Sequence, residues 1–143
     1  MTGRATTIRP ATPVDQAAVH VLAAELATTF AVTGDGFRRT FAEVLSSGGA
    51  TLLVAESGGE VGGYLLGFVH PAFFADGRVG WIEELLVRPE LRRQGVGASL
   101  VRAFEVRAGE AGARVVALAT RRAADFYRSV GYVESAVYFR KPL

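Results

Sequence analysis

The stretch WIEELLVRPELRRQGVGASL, residues 81–100, decides how this chain folds. An apolar run with two adjacent glutamates stops at a proline, and arginines and glycines then lead into a second apolar run. This order predicts a strand, a cationic turn and a helix. The unpaired backbone N–H groups and the dipole at such a helix start attract anions, and glycine lets a bulky phosphate reach the backbone. We therefore expect a phosphate site around Gly95 and Gly97.

Two better-known phosphate motifs do not fit the turn. A Walker A loop needs Lys-Ser/Thr after its last glycine, whereas Ala98 and Ser99 follow Gly97. A dinucleotide-binding fingerprint needs a third glycine where Leu100 stands. The turn is thus expected to hold a phosphate without Mg²⁺ chemistry and without a nicotinamide ring.

The length of 143 residues predicts one domain over residues 1–143, and the hydrophobic half of the residues argues against disorder. With no cysteine there is no disulfide framework, no thiolate metal site and no cysteine nucleophile. Two histidines, His20 and His70, leave little for a metal site, so we expect no metal.

Composition and charge also argue against membrane and nucleic-acid partners. No apolar run has the length of a membrane span, and the start lacks the apolar core of a leader, which predicts a cytoplasmic protein that binds no membrane. The net charge is +2, but the arginines are scattered and form no arm with interleaved aromatics. We therefore expect no nucleic-acid partner.

Apolar spacing and turn residues predict the elements. Helices are expected over residues 12–26, 37–45, 95–108 and 121–130. Strands are expected over residues 6–9, 51–57, 60–70, 79–87, 113–119 and 132–139. Hairpins followed by a strand–helix–strand unit predict an α/β (α+β) fold. Its sheet would be mixed and mostly antiparallel, with about six to seven strands and helices on both faces.

Two motifs in this order resemble a known family. RRQGVG, residues 92–97, is similar to the Arg/Gln-x-x-Gly-x-Gly/Ala signature of the GCN5-related N-acetyltransferases (GNAT), and RRAADFYRSVGY resembles their second motif. The resemblance covers nearly the whole chain. It implies an enzyme that moves the acetyl group of acetyl-CoA directly to a primary amine, on a small molecule or a peptide terminus, in a ternary complex.

The resemblance also implies where the cofactor lies. The pantetheine arm would run along the strand at Leu85, Leu86 and Val87. The pyrophosphate would meet the backbone of the turn, which consists of Arg92, Arg93, Gln94, Gly95, Val96, Gly97 and Ala98. The side chains of Arg88, Arg92 and Arg93 are candidates for the ribose 3′-phosphate, with simple solvation as the alternative.

Glu83 and Glu84 need an explanation, because burial of an unpaired carboxylate is costly. Strict alternation would place Glu83 on one face with Trp81, Leu85 and Val87, and Glu84 on the other with Ile82 and Leu86. A bulge, usual in the family, would open a cleft here. At least one glutamate is expected to be the general base, with a slight preference for Glu83. The alternative is a structural pair with an arginine such as Arg78.

Tyr127 is the third catalytic candidate. The resemblance implies that its hydroxyl lies near the thioester sulfur and protonates the departing thiolate, whereas the alternative is a tyrosine that caps the core. The family often has asparagine where this chain has Thr120, and the shorter side chain puts a direct cofactor contact there in doubt.

Other readings of the chain remain. One is a non-catalytic acyl-CoA-binding or sensor domain of the same fold, and another, based only on the basic balance of the chain, is a nucleic-acid-binding module. The sequence does not name the acceptor amine. Phe73 and Phe74 could line an acceptor pocket, make a homodimer contact or simply pack in their loop.

Overall fold

The structure, a computed structural model, describes residues 5–143, which contain five strands and four α-helices. The strands are β1 (Thr6–Pro10), β2 (Ala50–Ser57), β3 (Glu60–Ala72), β4 (Gly77–Val87) and β5 (Ala113–Leu118). The helices are α1 (Gln16–Leu26), α2 (Gly34–Ser46), α3 (Val96–Glu110) and α4 (Ala124–Ser129).

The strands form one sheet in the order β1-β2-β3-β4-β5. The first four are antiparallel neighbours, and β5 is parallel to β4 because α3 carries the chain back between them. The predicted α/β fold, with a mixed and mostly antiparallel sheet, is confirmed. The expected number of strands, six to seven, is wrong for the described residues, which have five.

Helices cover both faces of the sheet, as expected. On the face under α3 and α4, here the α3 face, the core contains Leu53, Leu65, Ile82, Leu100, Phe104 and Tyr127. On the opposite face, here the α1–α2 face, it contains Val19, Leu22, Phe41, Leu52, Val54 and Tyr64. The side chains of β2 alternate between the two cores because successive strand residues point to opposite faces.

The missing strand is the one predicted over residues 132–139. The chain from Tyr132 onwards forms no strand in the structure. Its alternating apolar side chains, Val133, Val137 and Phe139, are each more than three-quarters exposed. Alternation of apolar and polar residues favours a strand, but a strand also needs a neighbouring strand whose backbone groups bond with its own. This tail instead passes the α1–α2 loop, where Arg140 Nη2 donates to Thr29 Oγ1 at 3.0 Å.

A β-bulge interrupts the pairing of β3 with β4. Leu66 lies opposite Glu84 and Gly67 lies opposite Ile82, so Glu83 is an extra residue in β4. A bulge of this kind bends its strand and redirects a side chain. The bulge that the resemblance implied is therefore present, at the glutamate pair.

The bulge also corrects the predicted faces of β4. Strict alternation placed Ile82 with Glu84 and Leu86, but Ile82 packs with Leu85 in the core of the α3 face. Glu84 and Leu86 face the α1–α2 side, where Leu86 packs against the second core. One extra residue shifts the two-residue period, so the side chains after Glu83 change faces relative to those before it.

Beyond the bulge, β4 and β5 separate. Their last paired residues are Ile82 and Leu118, where β5 ends, while β4 continues to Val87. Over this last part, β4 has a sheet neighbour only on the β3 side. The end of β4 therefore presents an open edge in the middle of the molecule.

Candidate active site

Backbone groups of β4 point into the open edge. The Arg88 N–H donates to the Gly62 carbonyl at 2.8 Å, which continues the antiparallel ladder with β3. Because residues of an antiparallel strand turn their backbone groups alternately to either neighbour, Leu86 also faces β3, whereas Leu85 and Val87 face the open edge. Leu85 and Val87 thus turn their N–H and C=O groups toward the open edge and Leu86 turns its groups toward β3, while the pantetheine contacts of all three residues stay a prediction.

The turn after β4 ends in a helix start without a side-chain cap. Gly95 is the N-cap residue, and its carbonyl accepts the first helical bond, from Ser99 N–H at 3.0 Å. The Gln94 side chain braces the turn through a 2.9 Å bond to the Glu90 carbonyl. Within residues 5–143, no backbone acceptor meets the next three N–H groups, those of Val96, Gly97 and Ala98. Free N–H groups at a helix start attract anions in general, and the phosphate site at this turn stays a prediction.

Glycine is favoured at Gly95 and at Gly97 for different structural reasons. Gly95 has φ 79°, a left-handed conformation that favours glycine, and a Cβ there would meet open space. A Cβ at Gly97 would lie 3.2 Å from Cζ of Phe126. Gly97 therefore lets α3 approach the α4 side chain closely, a packing role that the sequence did not predict.

The three arginines beside the turn are not equivalent. Arg92 Nε donates to the Val87 carbonyl at 2.9 Å, so its side chain closes part of the open edge. Arg88 lies 3.8 Å from the carboxylate of Glu60. Arg93 forms no salt bridge with a described residue and is exposed. Of the three candidates for a phosphate contact, Arg93 has the least competition.

A cavity of about 1070 Å³ lies on the α1–α2 face beside the bulge. The two helices, the loop between them, the residues after β5 and the C-terminal tail enclose it. Its volume is at the upper end of the usual range for small-molecule sites. The polar side chains in its wall include Tyr64, Trp81, Glu83, Glu84, Thr120, Arg121, Tyr138 and Arg140.

The carboxylate of Glu84 accepts a hydrogen bond from a buried residue of the core. The hydroxyl of Tyr64, a residue only 1% exposed, donates to Glu84 Oε1 at 2.7 Å. Burial, with a contribution from the negative charge of Glu84, raises the pKa of Tyr64 well above its usual value. Tyr64 is thus a permanent neutral donor. Sequence reasoning missed it because it stands inside an apolar strand.

Glu83 is exposed at the bulge, and its partner is a neighbour on the same strand. Trp81 Nε1 donates to Glu83 Oε2 at 2.6 Å. The two-residue spacing of this pair was the signal in the sequence that could have revealed it. Among the described residues, neither glutamate forms a salt bridge, with Arg78 or with any other cation.

Tyr127 lies on α4 in the core of the α3 face, across the sheet from Glu84. Its ring meets Phe126 edge-on at a centroid distance of 5.0 Å and Tyr132 at 5.8 Å. Burial raises the pKa of Tyr127 to about 12. Its hydroxyl makes no hydrogen bond to the described residues, so it remains a neutral donor without a protein partner.

Thr120 has a local partner. Its Oγ1 accepts from the Ala123 N–H at 3.1 Å, which closes the turn before α4. The residue also forms part of the cavity wall. The short side chain is thus engaged in local structure, in line with the doubt that the sequence raised about a cofactor contact.

Residues 5–143 contain no group of three or more His, Asp or Glu side chains that could hold a metal ion. No helix in this part of the chain is long and apolar enough to cross a membrane.

Comparison with known proteins agrees with this architecture. The Acetyltransferase (GNAT) family matches residues 20–132. Aminoalkylphosphonate N-acetyltransferase of Salmonella typhimurium is 32% identical over 140 residues, which cover 95% of this chain and 90% of the relative.

Solved structures of low sequence identity share the fold. Glucosamine-6-phosphate N-acetyltransferase from Arabidopsis thaliana superposes with a TM-score of 0.85 at 23% identity, covering 96% of this chain and 98% of the other. Aminoglycoside N-acetyltransferase AAC(6′)-Iy in complex with CoA gives 0.86 at 19% identity, covering 99% and 98%. The chain belongs to the GNAT family of acetyltransferases, as its two motifs indicated.

Proposed function

We propose that this protein is an N-acetyltransferase that moves the acetyl group of acetyl-CoA directly to a primary amine in a ternary complex. The observation that carries the proposal is the separation of β4 from β5 after Ile82 and Leu118. It leaves a backbone edge free beside two carboxylates that line a large cavity. Donor and acceptor could therefore meet at the bulge from the two faces of the sheet.

The free backbone groups fit acetyl-CoA. The N–H groups of Val96, Gly97 and Ala98 would hold the pyrophosphate, with support from the Arg93 side chain. Leu85 and Val87 would pair with the amide-bearing pantetheine arm as an added strand does. Arg92 would have to share the Val87 carbonyl or release it.

The residues around the bulge would supply the acid–base chemistry. Acetyl-CoA provides an acetyl group activated as a thioester. Glu83 or Glu84 would accept the proton of the acceptor ammonium, directly or through water. The Leu85 N–H, which faces the open edge, would stabilise negative charge on the carbonyl oxygen, a role worth roughly 3–4 kcal/mol in well-studied enzymes.

Tyr127 would act on the departing sulfur. With its pKa raised to about 12 it remains protonated at neutral pH. A thiol has a pKa of about 8.5, so complete transfer of the tyrosine proton to a thiolate is unfavourable. We infer that Tyr127 stabilises the sulfur mainly as a hydrogen-bond donor.

The names of relatives support a small amine as acceptor. The Salmonella relative is named for aminoalkylphosphonates, and the similar solved structures include those of two aminoglycoside acetyltransferases. These compounds have amino groups and are small enough for a cavity of about 1070 Å³. A peptide terminus remains within the proposal, since it too presents a primary amine.

The test is amine-dependent release of free thiol from acetyl-CoA, measured with a panel of small amines. Wild-type protein should release thiol only when a suitable amine is present. Glu83→Gln and Glu84→Gln should show which carboxylate is the base, through a loss of about 10²- to 10⁴-fold in kcat/KM for one of them. Binding of acetyl-CoA without turnover of any amine would favour the alternative, a non-catalytic acyl-CoA sensor.

A further inference from the structure

The cavity beside the bulge carries charges of both signs. Of the 27 residues in its wall, only four are charged, namely Glu83, Glu84, Arg121 and Arg140. The glutamates come from β4, whereas the arginines come from the segment after β5 and from the C-terminal tail. Two acids and two bases thus reach one cavity from separate elements.

None of these charges neutralises another. No carboxylate of the described residues forms a salt bridge with Arg121 or Arg140, and the glutamates are bound by the neutral donors Tyr64 and Trp81. Positive and negative groups that share a cavity without pairing are matched by a ligand that carries both charges.

Arg140 is the better placed of the two arginines. Its Nη2 donates to Thr29 Oγ1 in the α1–α2 loop, which holds the exposed tail against the cavity wall. One hydrogen bond leaves the other N–H groups of the guanidinium available. A planar guanidinium in this position can bind the two oxygens of a phosphonate, phosphate or carboxylate side by side.

We propose that the acceptor is a small zwitterionic amine, whose ammonium faces Glu83 and Glu84 and whose anionic group binds Arg140, with support from Arg121. This proposal rests on the proposed function, because it concerns the acceptor of that reaction. It defines the C-terminal tail as a specificity element, although the tail follows both family motifs in the sequence.

The experiment compares kcat/KM for 2-aminoethylphosphonate, β-alanine and propylamine, an analogue that has the amine but no anionic group. The kcat/KM of the two zwitterionic amines should exceed that of propylamine by at least about tenfold, since hydrogen bonds to charged groups are the stronger class. Comparison of the phosphonate with the carboxylate shows which anion geometry the arginines prefer. The ratio of kcat/KM for a zwitterionic amine to that for propylamine should fall about tenfold in Arg140→Gln and should not change in Arg122→Gln, an exposed arginine outside the cavity.

Equal kcat/KM for the zwitterionic amines and propylamine, or equal ratios in Arg140→Gln and the wild type, would overturn the inference. Calorimetric binding of 2-aminoethylphosphonate and propylamine in the presence of CoA separates it from the proposed function. Binding of the phosphonate that depends on Arg140, without any acetyl transfer, would support the charge-matched ligand site but refute both the proposed function and the role of the ligand as acceptor. Acetyl transfer with no preference for amines that carry an anionic group would support the proposed function and refute the inference.

Discussion

The hydroxyl of Tyr64 on β3 donates a 2.7 Å hydrogen bond to Oε1 of Glu84 on β4. The bond joins the hydrophobic core of the α1–α2 face to the wall of the cavity. It fixes one carboxylate oxygen and leaves the other for a ligand. Glu83 has a similar arrangement with Trp81, so each of the two candidate bases has one neutral donor of its own.

These two donors offer a way to identify the base. Tyr64→Phe removes the donor of Glu84, and Trp81→Phe removes that of Glu83. Loss of the donor leaves the carboxylate free to move out of line with the acceptor amine, so kcat/KM should fall about tenfold in the variant whose glutamate is the base. The other variant serves as the control. If kcat/KM is unchanged in both variants, neither hydrogen bond positions the base.

Tyr64→Phe should also lower the stability of the protein. The change leaves the ring in the core but removes the only hydrogen bond recorded for the hydroxyl within the described residues. We expect the free energy of unfolding to fall by about 1–2 kcal/mol in urea titrations. A variant as stable as the wild type would show that the bond contributes little to folding.

The sequence revealed the parts of the site that local rules determine. Residues 81–100 predicted a strand, a turn and a helix because periodicity, proline and glycine act over a few neighbours. The free N–H groups at the start of α3 follow from that local order. The packing role of Gly97, unlike the turn role of Gly95, could not be predicted from local order, because the ring beside Gly97 comes from a residue about thirty positions later.

Long-range pairing explains what the sequence missed. The faces of Ile82 and Glu84 depend on one extra residue at Glu83, and strict alternation cannot register it. Tyr64 meets Glu84 only because β3 and β4 are in that register. The tail over residues 132–139 has the alternation of a strand, but no described strand pairs with it.

Tyr127→Phe tests the role assigned to the buried tyrosine. We expect kcat to fall about 10- to 100-fold while acetyl-CoA binding changes little, because the hydroxyl contributes mainly as charge develops on the sulfur. Since burial raises the pKa of Tyr127 to about 12, the ratio of wild-type to variant kcat should stay constant between about pH 7 and 10. A ratio that shrinks across this range would mean that Tyr127 loses its proton there and cannot be the donor.

Gln94→Glu tests the anion site at the start of α3. A negative charge on this exposed turn should repel the pyrophosphate and weaken CoA binding about tenfold in calorimetry. Arg102→Gln is the matched control, because it changes the net charge equally at an exposed position of α3 beyond the first turn. Screening limits the effect of that distant change to less than about twofold. Equal weakening by both would indicate a general charge effect, and none by either would place CoA elsewhere.

Two tyrosines with a raised pKa, Tyr127 and Tyr132, should make the free energy of unfolding fall at alkaline pH. Burial raises the pKa of Tyr127 to about 12, and that of Tyr132, which also donates to Glu105, rises as well. An unfolded tyrosine loses its proton near pH 10, so the unfolded state binds fewer protons than the folded state above that value. Stability should thus be complete below about pH 10 and decline as pH rises toward 12.

Urea midpoints between about pH 8 and 11 measure this decline, and Tyr132→Phe should make it shallower. Tyr138→Phe, a change at an exposed tyrosine of the tail, is the control and should leave the slope as it is. A slope that is the same in all three proteins would contradict the assignment of part of the decline to Tyr132.

The most direct test of the central claim follows an isotope-labelled acetyl group. The protein is mixed with labelled acetyl-CoA, with and without a small primary amine, and both protein and amine are examined by mass spectrometry. Direct transfer predicts label on the amine nitrogen only, and an unchanged protein mass when the amine is omitted. Label on the protein, or bound acetyl-CoA with no label on any amine, would contradict the account.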